Sequence, residues 1–337
     1  MATPVRQSFG KKDALTHVGT IVGPSTMTGS VAGGICTPFQ ILTTQAIKVM
    51  FLYLSGTVDV ATANLSAVLT NGVHKLLQSI AVTVNKKPAQ IALNGYSLHV
   101  KNQKDWGRVE PFADLASVNL GAGKAFNALF RIDFSTPQYP GGDATMFKPM
   151  PGYLYNLEIA FDAVTVLGTP AAPGQMTFTA APTIDVITQE ILDVAKTPNV
   201  YNAAYLLTFP LTAISSDFKV PLPYNAKVNE YHLHVKNATG VYSNSVLNKI
   251  TLRNGQKEVM RALPTNLHRA IQDSLAHLPG TMAAPTGVYF VDLALNNSFR
   301  SVRDTTGMTE LQLGLDVAAL GTLEVLVNEF RQGAEGS

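Results

Sequence analysis

The feature that most constrains this chain is a set of strand-like blocks that occurs twice in the same order. Between Tyr153 and Val164, Leu157, Ile159 and Phe161 alternate with Asn156, Glu158 and Ala160, the period of two expected of a strand with one buried face. From Thr309 to Val317 the pattern returns: Leu311, Leu313, Leu315 and Asp316 fall where Leu157, Ile159, Phe161 and Asp162 fell, 154 residues later. Three further blocks repeat in step. Lys48-Val49 ahead of FLYL matches Lys227-Val228 ahead of EYHLHV at an offset of 179. SIAVTV through Ala92-Leu93 matches KITLRN through Ala262-Leu263 at 170, and FRIDF matches YFVDL through Asp133 and Asp292 at 159. The order holds while the offset shrinks, as duplication predicts when the first copy carries longer loops, notably Thr136 to Gly152. The pattern favours two like β domains in tandem over one large β protein with convergent strands.

Composition bounds what such a tandem can do. At 337 residues the chain is long enough for two domains of ordinary size. Only 14% of its residues are charged against 46% hydrophobic, where about a quarter charged is usual, so extensive burial between subunits is expected. A formal net charge of +2 provides no overall attraction to nucleic acid or an anionic membrane, and any such contact must be local. The single cysteine, Cys36, cannot form an intrachain disulfide; stability must come from packing and association, which suits assembly in a reducing cytoplasm. Residues 1 to 25 contain no long apolar run, so no secretory leader is expected. Ala46 to Leu54, interrupted by Lys48, is far shorter than the roughly 20 residues of a membrane span and reads as a buried strand.

The domain plan follows from texture. Residues 1–40, rich in Gly, Ser, Thr and Pro, are expected to form an extended arm. Residues 41–185 form the first unit, with strands expected at ILTTQAIKVMFLYL, LSAVLTNGVHKLL, SIAVTV, ALNGYSLHV, ALFRIDF and QMTFTA, and with Trp106 in a loop. From Thr183 to Asn199, Ile184, Ile187, Ile191 and Val194 recur at three-to-four spacing before Pro198, which predicts a short helix or a linker; residues 186–200 are assigned to that linker or short helix. Residues 201–331 form the second unit, interrupted by a helix expected at Asn266 to Leu278, and 332–337 form a tail.

No catalytic constellation emerges, so no catalytic, cofactor-binding or metal residue is assigned. LGAGKAF lacks the Gly five residues before Gly123 and the Ser or Thr after Lys124 that a phosphate loop needs, Val118 and Ala125 standing there instead. There is no G-x-S-x-G elbow and no H-E-x-x-H, and Cys36 lies near the loose N-terminal region. His232 and His234 point to one face of a strand and could offer two metal ligands if a third approached; the plainer reading is a polar strand face. Asp133 with Asp292, and Asp162 with Asp316, could be catalytic or cation-binding pairs, but their duplication suits strand-end or turn roles. Arg6, Lys11 and Lys12 make a small basic arm that could touch nucleic acid or lipid, or simply be solvated. Without a leader, the sequons at Asn64, Asn237 and Asn296 carry no weight.

Two units of about eight strands, joined by a linker, preceded by an arm and lacking catalytic residues, resemble the double jelly-roll major capsid proteins of tailless icosahedral viruses, in particular tectivirus, corticovirus and finnlakevirus-like bacteriophages. The resemblance implies an all-β fold of two tandem jelly-roll β-sandwiches with a few short helices. It also implies a structural protein of the virion, assembled in the host cytoplasm, whose three copies form a pseudo-hexagonal homotrimeric capsomer. Its partners would be further copies of itself, other capsid proteins such as a vertex protein, and internal membrane lipid or genome through the N-terminal arm. Two alternatives remain open: a tandem β-sandwich that binds glycan or another ligand in a groove between its domains, and a minor capsid or spike protein.

Overall fold

The computed structural model describes residues 6–9, 13–42, 45–61, 65–85, 87–106, 110–115, 121–135, 146–149, 152–191, 200–255, 257–267, 285–292, 303–305, 307–308 and 310–332. The first half contains β1 (Arg6–Phe9), β2 (Asp13–Val22), the short β3 (Gly34–Ile35) and β4 (Phe39–Gln40), β5 (Ala46–Val60), β6 (Leu65–Val68), helix α1 (Gly72–Lys75), β7 (Leu77–Val84), β8 (Lys87–Leu93), helix α2 (Gly95–Trp106), β9 (Phe112–Ala113), β10 (Gly121–Asp133), β11 (Tyr155–Phe161), β12 (Gly168–Pro170), β13 (Met176–Phe178) and β14 (Thr183–Ile191). The second half contains β15 (Val200–Leu211), β16 (Ser215–Pro221), β17 (Lys227–Asn237), β18 (Leu247–Asn254), β19 (Lys257–Pro264), β20 (Val288–Asp292), β21 (Arg303–Asp304), β22 (Gln312–Val317) and β23 (Gly321–Gln332).

Each half is a pair of facing sheets. In the first, β2-β14-β5-β10 stands against β8-β7-β11, with β3 and β4 both pairing the outer side of β11. In the second, β15-β23-β17-β20 stands against β16-β22-β18-β19. Taking β3 and β4 as one interrupted strand, the two halves have the same order: first, eighth, third and sixth strands in one sheet, second, seventh, fourth and fifth in the other. That is the doubled-over order of a jelly roll. The four sequence repeats fall on equivalent strands, β5 with β17, β7–β8 with β18–β19, β10 with β20, and β11 with β22.

Alternation sets the faces. On β5, Met50, Leu52 and Leu54 are fully buried in the sandwich, whereas Tyr53 on the other side is 39% exposed; on β17, Tyr231, Leu233 and Val235 face the second core. Each fully buried Leu or Val contributes on the order of 2 kcal/mol. The halves do not merely abut: β8 runs parallel to β15, with Ile91 opposite Ala204 and Ala92 opposite Tyr205. One ten-stranded sheet therefore passes through both sandwiches, and Tyr201, Ala203, Ala204 and Leu326 of the second half complete the first core.

Several expectations are corrected. Of the expected extended arm, residues 13–40 are packed into the first half: β2 hydrogen-bonds along β14, and Met27 and Cys36, with Ile41 just beyond, are buried in the first core. Gly33 sits so close to β11 that a Cβ there would lie 2.1 Å from the Phe161 carbonyl oxygen. Thr183–Ile191 is not helical but the strand β14, whose inward residues Ile184, Val186, Thr188 and Glu190 keep a period of two, so part of the expected linker lies inside the first sandwich. ALNGYSLHV is not a strand throughout, since Gly95 opens α2 and Trp106 ends it, and GVHK of LSAVLTNGVHKLL is α1. Of the helix expected at Asn266 to Leu278, all but Asn266 and Leu267 lie outside the described residues.

Candidate functional site

The most chemically dense place in the molecule is the junction where α2 of the first half lies over the outer face of β17 and β20. The helix begins with a side-chain cap, Asn94 Oδ1 accepting the Ser97 N–H at 2.7 Å, as an Asn at an N-cap does. Tyr96 and Val100 then pack on Val288 and Phe290 of β20, with Tyr242 alongside. Lys104 reaches across to pair with Glu230 on β17, its ammonium 5.6 Å from the Phe290 ring. Glu230 also accepts from Asn328 at 2.9 Å and lies 3.0 Å from His232 Nε2.

This answers the question raised by His232 and His234. Both have 0% exposure; they share a face, as expected, but it is covered by α2 rather than open to solvent. His234 is pushed well below the usual imidazole range by burial first, then by His232 and Lys236, so it is held neutral. Two more buried histidines stack on the other side of the helix: the rings of His74 and His99 are 3.6 Å apart, with Phe112 against both. Burial, reinforced by His99, lowers His74 to about 2, and burial lowers His99 to about 4. Among the described residues, no group of three or more His, Cys, Asp or Glu could hold a metal ion.

The far end of α2 is locked by the one tryptophan. Trp106 Nε1 donates to Asp133 at 2.8 Å, Arg131 Nε donates to the same carboxylate at 2.9 Å, and the Arg131 guanidinium lies 3.5 Å over the Trp106 ring. Burial raises the Asp133 carboxyl above its usual range, opposed by Arg131 and Lys101. On α2 itself Lys101 pairs with Asp105; burial pushes Asp105 up, but Lys101 and Lys104 outweigh it and hold the carboxyl below its usual range. Asp133 is thus a strand-end anchor for the helix.

The other sequence candidates stand apart from one another. Gly121 to Lys124 is a bulged strand start at which the Gly123 N–H donates to Asp59 at 2.8 Å, with no helix after it to hold phosphate. Cys36 is buried, and burial pushes its thiol up to about 11, which makes it inert rather than loosely held. Asp162 accepts from the Ala163 N–H and Asp316 from Asn248, both local roles. Asn237 Oδ1 closes a turn by accepting from Thr239 and Val241. Arg6 is on β1; Lys11, Lys12, Asn64, Asn296 and the side chain of Asp292 lie outside what is described. No described helix is long and apolar enough to cross a membrane.

Opposite in character is the outer face of the first sheet, where β5, β10 and β14 present Tyr53, Ser55, Thr57, Asn127 and Thr183 around a shallow hollow of about 370 Å³. It is the counterpart of the β17 face that α2 covers, and no described helix covers it.

Two sandwiches with this strand order, fused through one sheet, define a class: the chain is a double jelly roll. No protein-family model matches it, and no curated protein does. Solved structures do. The chain is similar to the major capsid protein of Bacteriophage PM2, with a TM-score of 0.61 at 13% identity, covering 96% of this chain and 99% of that one. It is similar to a chain in the atomic structure of Sulfolobus Turreted Icosahedral Virus (TM-score 0.71, 12% identity, 96% and 92% covered). It is also similar to a chain of the PBCV-1 virus capsid (0.65, 14%, 97% and 95%). The likeness extends over nearly the whole length of both partners in each case.

Proposed function

We propose that this chain is a major capsid protein, three copies of which form a pseudo-hexagonal capsomer of an icosahedral virus shell, and that it is not an enzyme. The observation that carries the reading is the pair of equivalent sheet faces, one covered and one open. Within the chain, the connection after β8, which is α2, lies on the outer face of the second half. The corresponding connection of the second half leaves β19 at Pro264 and is described as far as Leu267, a leucine 48% exposed, and the corresponding face of the first half carries the exposed Tyr53. If the same docking is repeated between copies, three chains close a ring of six similar contacts, since a head-to-tail contact closes when its rotation divides the circle. The low charge and the whole-length likeness to capsid proteins support the same conclusion. Finer partners belong to this proposal too: a vertex protein in the assembled virion, and lipid or genome met by Arg6, Lys11 and Lys12, with assembly in the host cytoplasm.

Mass measurement in solution tests it. A stable species near three times 36.0 kDa is expected, and Tyr53→Arg should reduce it to monomers whose Trp106 fluorescence is unchanged. A wild-type monomer at micromolar concentration sinks the capsomer reading. Deleting residues 2–12, which spares β2, should leave trimers intact and impair shell assembly if the basic segment contacts lipid or genome.

A further inference from the structure

Beside the α2 junction the two halves leave a second opening, a cleft of about 750 Å³ walled by both. That is within the size range of small-molecule sites. Its base is a four-membered stack bridging the halves: the Lys236 ammonium lies 5.0 Å over the Tyr242 ring, Tyr242 and Tyr96 are 4.6 Å apart, and the Lys75 ammonium lies 5.8 Å over Tyr96. The two cations differ in one respect. Lys236 is neutralised by Glu324 at 2.5 Å. Lys75, half-buried at the end of α1, has no carboxylate within ion-pair distance among the described residues and donates only to the Thr70 carbonyl, at 3.4 Å. Burial first, and then Lys236, disfavour its charged form, with Asp114 opposing from outside contact range. With the Glu324 carboxylate in the cleft wall already matched by Lys236, the Lys75 ammonium is the place where a bound anion gains a charge-assisted hydrogen bond without displacing a carboxylate partner.

The remaining walls are not those of a bare anion site. Asp162, Asn71 and Gln78 offer hydrogen-bond acceptors and donors, and Val166 with Val241, the latter 60% exposed at the mouth, offers an apolar surface. A phosphate ion would use one corner. A ring carrying one carboxylate, several hydroxyls and a C–H face uses the whole cleft: the acid on Lys75, hydroxyls on Asp162 and the amides, the C–H face on the valines. We propose that this cleft binds a carboxylated sugar, contributed by a glycan the particle meets. The site lies within one chain, so it stands or falls independently of the capsomer.

Titration calorimetry and saturation-transfer NMR on the full chain, with N-acetylneuraminic acid and glucuronic acid as probes and glucose and inorganic phosphate as comparisons, test it. Saturable binding of at least one sugar acid, at an affinity neither glucose nor phosphate reaches, is expected. Lys75→Gln should weaken it about tenfold or more, while Lys249→Gln, an exposed lysine on the distant β18, should leave it unchanged. Val241→Trp, which fills the mouth without altering charge, should abolish it and serves as the second variant should Lys75→Gln disturb the fold. Absence of saturation by both sugar acids overturns the proposal. So does equal binding of phosphate, or binding that survives both substitutions.

Discussion

The pair between Lys104 and Glu230 is a buried charged tie between the two jelly rolls, and Lys104→Met is the perturbation that measures it. The Glu230 side chain is 1% exposed and that of Lys104 is 8%, so the pair is out of water. Taking away the lysine leaves the carboxylate with Asn328 and His232 as neighbours and, among the described residues, no lysine or arginine in direct contact. Breaking a buried pair in this way costs about 3–5 kcal/mol, several times the value of an exposed pair. The exposed Arg253–Asp217 bridge at 2.8 Å serves as the internal comparison: Asp217→Ala should cost about 1 kcal/mol or less.

Trp106, the one tryptophan, reports the result directly, since it closes α2 against Arg131 and Asp133. Urea unfolding followed by its fluorescence should show Lys104→Met unfolding at a markedly lower midpoint, with loss of tryptophan burial preceding loss of β signal as α2 undocks. The double variant Lys104→Met with Glu230→Gln should recover most of the loss, because replacing both members removes the stranded charge. A single variant costing under about 1 kcal/mol, or a double variant as damaged as the sum of its parts, would refute the reasoning that desolvated charge holds the junction.

Gly33→Ala should abolish soluble expression or cost more than about 3 kcal/mol, because the new Cβ meets backbone of Phe161 and Asp162 at 2.1 and 2.6 Å and β3 cannot then pair with β11; a variant of normal urea midpoint contradicts the close approach. Acid should weaken the fold between about pH 6.5 and pH 4. His74 and His99, lowered by burial to about 2 and about 4, stay neutral in the native state while the unfolded chain protonates. Stability is therefore full above pH 6.5 and falls by about 1.4 kcal/mol per pH unit for each such histidine. His74→Leu should flatten the midpoint-versus-pH curve by one such slope, and an unchanged curve rules out His74 as a source.

Much of the architecture was legible because period-two alternation survives duplication. The blocks at Leu157 and Leu311 lie on equivalent strands, although their pairing has slid: Leu157 stands opposite Val82, whereas Leu311 plus two, Leu313, stands opposite Leu252. A slide of two keeps every side chain on its face. What was missed has a local cause in each case. In α2, residues Gly95 to Asn102 are buried all round, so no polar stripe marks the helical period, and only Asn94 ahead of it and the Lys101–Asp105 spacing signalled a helix. In β2 the inward residues are Ala14 and Thr16, and a bulge at Val18 shifts the inward face to Ile21, so alternation is both weak and broken. In β14 two inward positions are Thr188 and Glu190, their polar ends bonded to each other at 2.9 Å, while the half-buried Ile187 on the outer side completed a false helical spacing.

One face on which the two halves disagree in sequence is where they touch. At the offset of 179 that aligns β5 with β17, Phe51, Tyr53 and Ser55 correspond to Glu230, His232 and His234. The inner faces of these strands remain aliphatic or aromatic in both halves, which is why the repeat was visible. The outer faces have diverged, from a partly exposed aromatic and hydroxyl surface to a dry polar one matched to Lys104 and Tyr96 of α2. A duplicated domain that stays within one chain can tune the contact between its copies separately from the contact proposed with other chains, because the two would lie on different residues of equivalent faces. Inside the chain the contact is permanent and uses buried charge, whose loss is severe. On the open face Tyr53, Ser55, Thr57 and Asn127 are neutral, and neutral groups can be covered on association without the desolvation cost of ions. That suits a surface which, in the proposed capsomer, would stand in water before assembly and be buried after it.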